Sequence, residues 1–141
     1  MMYQRNLKAY KATSVAADLA VADPHRVIQL MMQGFLEKLA QAKGAIERRD
    51  MEAKAIAVSK AQGLLHGLQD ALDMSQGELA EDLYRLYSYM DGRIWDASLT
   101  LDSTPIDEVI ALMITIKSGW DQLSEVAKQQ GYQMRQQLGE L

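Results

Sequence analysis

Cysteine is absent from the 141-residue chain, and with it any disulfide, thiolate nucleophile or zinc-thiolate site. Nothing in that composition calls for an oxidising compartment, so a reducing cytoplasm is the expected home. Histidine is nearly as scarce, with only His25 and His66. The di-iron sites of helical bundles need Glu-x-x-His pairs, but Ala22 stands three before His25 and Gly63 three before His66. Two histidines do not complete a catalytic zinc triad unaided. His25 reads as a solvated first-turn residue and His66 as the flank of an apolar seam. The nine glycines are dispersed, with no phosphate loop of the G-x-x-x-x-G-K-S/T type and no G-x-S-x-G elbow. Long apolar runs are missing too. The longest aliphatic stretch, Val109 to Ile114, is far shorter than the roughly 20 residues a membrane span needs. Arg5, Lys8 and Lys11 interrupt the N-terminus where a signal peptide would be apolar. Neither a membrane span nor a secretion signal is expected. Fifteen basic against nineteen acidic residues give a net charge of -4, which disfavours nucleic acid as a partner.

What is present is helical. The hydrophobic fraction is 48%, with only nine aromatics (two Trp, six Tyr, one Phe) beside nine methionines, a composition suited to helices packed on helices. Asp23 is placed to cap a helix with Pro24 at its first position, where the missing N-H costs nothing. From there Ile28, Met32, Phe35, Leu39, Ala42 and Ile46 alternate four and three, a heptad seam. Asp50 is placed to cap a second helix with its seam at Val58, Ala61, Leu65, Leu68 and Leu72. Ser75-x-x-Glu78 has the spacing of a capping box ahead of a third helix, whose seam is Leu79, Leu83, Leu86, Met90, Ile94 and Ala97. This helix is expected to end near Thr100. Thr104-Pro105-Ile106-Asp107 repeats the order of cap, proline and acidic third position and opens a fourth, predicted to reach about Gln130, with Ile106, Val109, Met113, Ile116, Trp120, Leu123 and Ala127 in its seam. Short connections make neighbours antiparallel. The fold class is therefore all-α, an antiparallel up-down four-helix bundle in one domain over 1–141. Residues 1–22 form an N-terminal arm, 23–130 the bundle and 131–141 a Gln-rich tail, either a helical extension or irregular.

The arm has a pattern of its own. Tyr3, Leu7 and Tyr10 recur at helical spacing, yet so short a helix does not persist alone in water. Burying the three gains roughly 1.5 to 3 kcal/mol each, while ordering some eight residues costs roughly 1 to 2 kcal/mol apiece. Docking onto the bundle would be marginal, as a detachable plug requires. The alternative is an ordinary segment tied onto the core.

Chemistry is not expected. Glu78, Glu81 and Asp82 look like paired acids, but they sit in a helix's first turns, where carboxylates oppose the macrodipole favourably. No catalytic residue, cofactor or metal is assigned. On the third helix Tyr84 and Trp95 fall within roughly 20° of one direction at about 100° per residue, away from the core stripe, with Tyr87 in between. These rings either extend the packing or offer a partner an apolar surface. Helix-in-groove recognition is an economical use of such a surface.

The residues resemble the flagellar export chaperone family, FliS. The likeness rests on Tyr3, Leu7-Lys8-Ala9-Tyr10, Ser14-Val15, Asp23-Pro24-His25, Ala40 through Arg48, Ser59-Lys60-Ala61 and Gly67-Leu68. It continues through Gly77-Glu78-Leu79-Ala80, Leu83 through Met90, Arg93, Leu99, Ile106-Asp107-Glu108-Val109 and Trp120, so that it covers about positions 3 to 123. The chain departs from the family's usual wording at Gln76-Gly77, where a double glycine is common, and at Asp96 and Ser98. The resemblance implies a helical bundle in the cytoplasm that binds the C-terminal region of flagellin and holds it unpolymerised until the flagellar export gate receives it. It also implies that the arm, through Tyr3, Leu7, Tyr10 and Val15, covers an apolar groove and is displaced by the client. With Tyr84, Tyr87 and Trp95, these are the expected partner-binding residues. A client-free homodimer through the Tyr84 and Trp95 surface is the alternative, and a bundle enzyme or sensor with an unrecognised pocket a third reading.

Overall fold

The computed structural model describes residues 23–139, those after 123 by their backbone alone. The arm 1–22, with Tyr3, Leu7, Tyr10 and Val15, lies outside the described residues. Four helices follow in order: α1 Pro24–Arg48, α2 Met51–Asp70, α3 Glu78–Thr100 and α4 Thr104–Gly139, with a short 3-10 turn at Met74–Gln76 before α3. No strand occurs among the described residues, and no helix there is long and apolar enough to cross a membrane.

Local chemistry sets the helix ends. The Asp23 carboxylate accepts from the Arg26 amide at 2.8 Å with Pro24 in the first turn, and Asp50 accepts from the Ala53 amide at 3.1 Å. Both caps are as expected. Two others differ. The Ser75-x-x-Glu78 box does not form. Asp73 instead closes the 3-10 turn by accepting from the Ser75 amide, and α3 starts at Gly77 without a side-chain cap. Gly77 adopts φ 81° and ψ -143°, a conformation open to glycine and strained for other residues. Gly77 thus takes the cap position itself, two residues after Ser75. At α4, Thr104 is the first helical residue rather than its cap, and Asp102 accepts from the Thr104 amide at 2.9 Å. The helix also runs past the expected Gln130 to Gly139, so the tail from 131 begins as a helical extension.

Polar ties reveal the antiparallel order. Lys43 late in α1 meets Asp107 early in α4 at 2.7 Å, whereas Gln29 early in α1 donates to Asp121 at 2.9 Å. Likewise Lys54 near the start of α2 donates to the carbonyl of Ser98 near the end of α3 at 2.9 Å. Gln69 at the far end of α2 donates to the Tyr84 carbonyl and the Ser88 hydroxyl. Each helix packs on the next and α4 returns to α1, which is an all-α four-helix bundle. The seams meet in a core of Met32, Phe35, Leu39, Leu65, Met90, Ile94, Ile106, Val109 and Met113, all buried. Leu79 and Leu123, read as seam residues, are exposed, because each sits toward the end of its stripe with too little packed opposite.

Candidate functional site: an apolar groove at one end of the bundle

At the end of the bundle where α1 and α3 begin, the four seams do not close. A groove of about 290 Å³ opens there. Its walls come from every helix: Ile28 and Met32 of α1, Leu68 of α2, Leu79, Ala80, Leu83 and Tyr87 of α3, and Ile116 and Trp120 of α4. The α2–α3 connection adds Ala71, Leu72, Asp73 and Gln76. The lining is overwhelmingly aliphatic and aromatic, so the groove offers burial for apolar side chains and no assembled catalytic constellation. Among the described residues no group of three or more His, Asp or Glu is arranged to hold a metal ion.

Polar contacts hold the rim in place. The Asp73 carboxylate accepts from the Ser75 amide at 3.0 Å, from the Ser75 hydroxyl at 2.6 Å and from Gln76 Nε2 at 3.3 Å, which lowers its pKa from the ordinary carboxylate value. Across the groove, Trp120 Nε1-H donates to the backbone carbonyl of His25 at 3.0 Å. The His25 ring lies against the indole with centroids 4.6 Å apart. His25 is thus half-buried rather than solvated, a long-range packing outcome that its place in a first turn does not announce. His66 is exposed on α2 and reaches Asp91 of α3 at 3.4 Å.

The structure separates the three expected partner-binding residues of α3. Tyr84 and Trp95 are 46% and 50% exposed, and Leu99 joins them on the outside at 75%. Tyr87 is 2% exposed, and its ring forms part of the groove wall. Burial raises the Tyr87 phenol pKa. In the sequence Ile28, Met32, Leu68, Leu72, Leu83, Ile116 and Trp120 are legible as seam residues and not as a site. Their apolar spacing was visible, but not the fact that the facing residues leave a gap.

Comparisons with known proteins agree with this architecture. The family described as "Flagellar protein FliS" matches residues 5–129. The chain is 47% identical to the flagellar secretion chaperone FliSB of Pseudomonas aeruginosa over 125 residues, 88% of this chain and 99% of that protein. It is 37% identical over 123 residues to the flagellar secretion chaperone FliS of Salmonella typhimurium, covering 86% and 91% of the two chains. With FliS of Vibrio cholerae the identity is 35% over 119 residues, covering 84% and 88%. A match of this extent, on a bundle built as the sequence predicted, makes the chain a member of the FliS family of flagellar secretion chaperones.

Proposed function

We propose that this chaperone seats the C-terminal segment of flagellin in the groove and keeps it unpolymerised in the cytoplasm until the flagellar export gate receives it. The observation that carries the reading is the apolar groove, walled by all four helices and open to solvent on one side. An amphipathic helix laid there needs only anchors at i, i+3 or i+4, and i+7 to fill it. Hiding apolar side chains in this way blocks self-association of the client. A client that is disordered beforehand loses conformational entropy on binding, so its affinity stays moderate and release is feasible.

In this reading the arm competes for the same groove. Tyr3, Leu7, Tyr10 and Val15 are carried on the chain that leads into α1, whose Ile28 already lines the groove. An intramolecular competitor at high effective concentration lowers the client's apparent affinity without altering the groove. Tyr84 and Trp95 lie outside the groove and would meet parts of the client that wrap further around α3.

Titration calorimetry of the full chain with a peptide of the flagellin C-terminal segment tests the proposal. Saturable one-to-one binding that weakens when Leu83→Ser is introduced into the groove is expected. Absence of binding would remove the reading. The exposed Tyr84, Trp95 and Leu99 also favour a second reading, self-association through the outer face of α3. A stable dimer seen by light scattering, dispersed by Trp95→Ala and indifferent to the peptide, would select it.

A further inference from the structure

Of the residues that line the groove only Tyr87 carries a phenol, and it is 2% exposed. Among the described residues its hydroxyl has no hydrogen-bond partner, and burial is the sole cause of its raised pKa. Tyr89, two residues on, is the contrast. It is 50% exposed and donates to Glu108 at 2.5 Å, the bond that does most to raise its own pKa. The helix thus serves an exposed phenol and leaves a buried one unserved. The ordinary arrangement is the reverse, because water satisfies an exposed hydroxyl whereas a buried one without a partner costs free energy. Phenylalanine would fill the same wall with no polar atom to satisfy. The other polar side chains of the lining are already engaged: Asp73 accepts from Ser75 and from Gln76, and the Trp120 N-H donates to the carbonyl of His25. What remains uncommitted is the Tyr87 hydroxyl.

We propose that Tyr87 is a specificity-determining donor, selecting groove occupants that carry one neutral hydrogen-bond acceptor, an Asn, Gln, Ser or Thr side chain, among their apolar anchors. On the flagellin reading, which this inference rests on, the seated segment presents that acceptor beside its aliphatic residues. With its pKa raised above 10.0, the phenol keeps its proton near neutral pH and acts as the donor. A side chain is the suitable acceptor, since the backbone carbonyls of a seated helix are bonded within it except in the last turn. A carboxylate is not suitable. It would give up water in an apolar lining that already holds the Asp73 charge. A wholly aliphatic occupant would cover the hydroxyl without bonding it, and sites that hydrogen-bond their ligand discriminate strongly against that loss.

Titration calorimetry compares the full chain with Tyr87→Phe, each against the flagellin C-terminal peptide and against peptides in which every Asn, Gln, Ser and Thr is replaced in turn by Ala. One replacement is expected to weaken binding to the parent chain by about two- to tenfold, the worth of one hydrogen bond, and to leave Tyr87→Phe unaffected. Tyr87→Phe should lose affinity for the unaltered peptide by the same factor. An unchanged affinity, or replacements that act equally on both chains, overturns the inference and leaves the flagellin reading intact. Where the parent chain binds no peptide, the flagellin reading falls and urea unfolding alone decides. Tyr87→Phe is expected to unfold at the same urea concentration as the parent or a higher one, because the hydroxyl serves no contact inside the fold. A lower midpoint shows that the fold itself uses the hydroxyl, and overturns the inference.

Discussion

At the end of the bundle where α1 turns into α2, Ala42, Ala45, Ala57, Ala61 and Ala97 alternate with Ile46, Val58, Ile94 and Ile106, and all are buried. At the opposite end the corresponding layers hold Ile28, Leu72, Leu79, Leu83, Ile116 and Trp120, and there the groove opens. The heptad spacing is the same at both ends; the side-chain volumes are not. Small residues let helix backbones approach and larger ones fill what is left, so the first end closes. At the second end larger residues of α1, α3, α4 and the α2–α3 connection line a groove that stays open. Connections reinforce the contrast, because Arg49-Asp50 and Leu101 to Ser103 tie the closed end twice, whereas the open end has the single longer turn between Asp70 and Glu78. A stable bundle thus concentrates its packing at one end and leaves the other free for a partner.

The sharpest way to break this comparison is to remove the same atoms at both ends. Ile94→Ala at the closed end is expected to cost about 2 to 5 kcal/mol, the lost transfer energy plus the cavity left behind. Ile116→Ala on the groove wall should cost less than about 1.5 kcal/mol, because no enclosed cavity forms where solvent already reaches. Urea unfolding of the two variants gives the difference. Equal losses would mean that the groove is closed in solution. A smaller effect is expected from Gly77→Ala. No heavy atom lies within 4 Å of an added Cβ there, so the cost is backbone strain alone, about 1 to 3 kcal/mol at φ 81°. This turn carries Leu72, Asp73 and Gln76 of the rim, so loss of client affinity should accompany the loss of stability. An unaltered midpoint and affinity would show that the rim does not depend on Gly77.

Much of the fold was legible because its signals are local. Asp23 with Pro24, Asp50 and the 3-4 alternation of four seams each act within a turn or two of their own position. The capping box at Ser75 failed for a reason outside that local rule, since Gly77 takes a backbone conformation that the S-x-x-E spacing does not encode. Thr104 lies inside the helix rather than before it, and its own amide donates to Asp102, two residues upstream. The groove was legible only as apolar residues. Whether a seam is filled depends on side chains from all four helices meeting in one layer, and no single helix's periodicity carries that information. Trp120 shows the limit most clearly, since its partner His25 is 95 positions away and is bound through a backbone carbonyl.

The least of the expected effects separates the two ends by pH. Asp73, at the open end, has its pKa lowered from the ordinary 3.8 by hydrogen bonds from the Ser75 hydroxyl and amide and from Gln76. A depressed carboxylate contributes stability above its unfolded value and loses it as pH falls through the lower folded value. At the closed end Lys43 is raised above 10.5, first by its hydrogen bond to Asp107 and then by the attraction of that carboxylate. Its contribution is fully present below the unfolded value and is lost as pH rises through the higher folded one. Alkali should therefore loosen the closed-end pair by removing the Lys43 charge while leaving the rim untouched, and acid should loosen the rim by protonating Asp73. Asp73→Asn is expected to be less stable than the parent at pH 7, with the gap closing as pH falls below 3.8. Lys43→Met should show its gap at pH 7 and lose it as pH rises above 10.5. Paired urea midpoints across that range decide the matter, and a gap for Asp73→Asn that widens in acid would show that the rim is not held by the charged carboxylate.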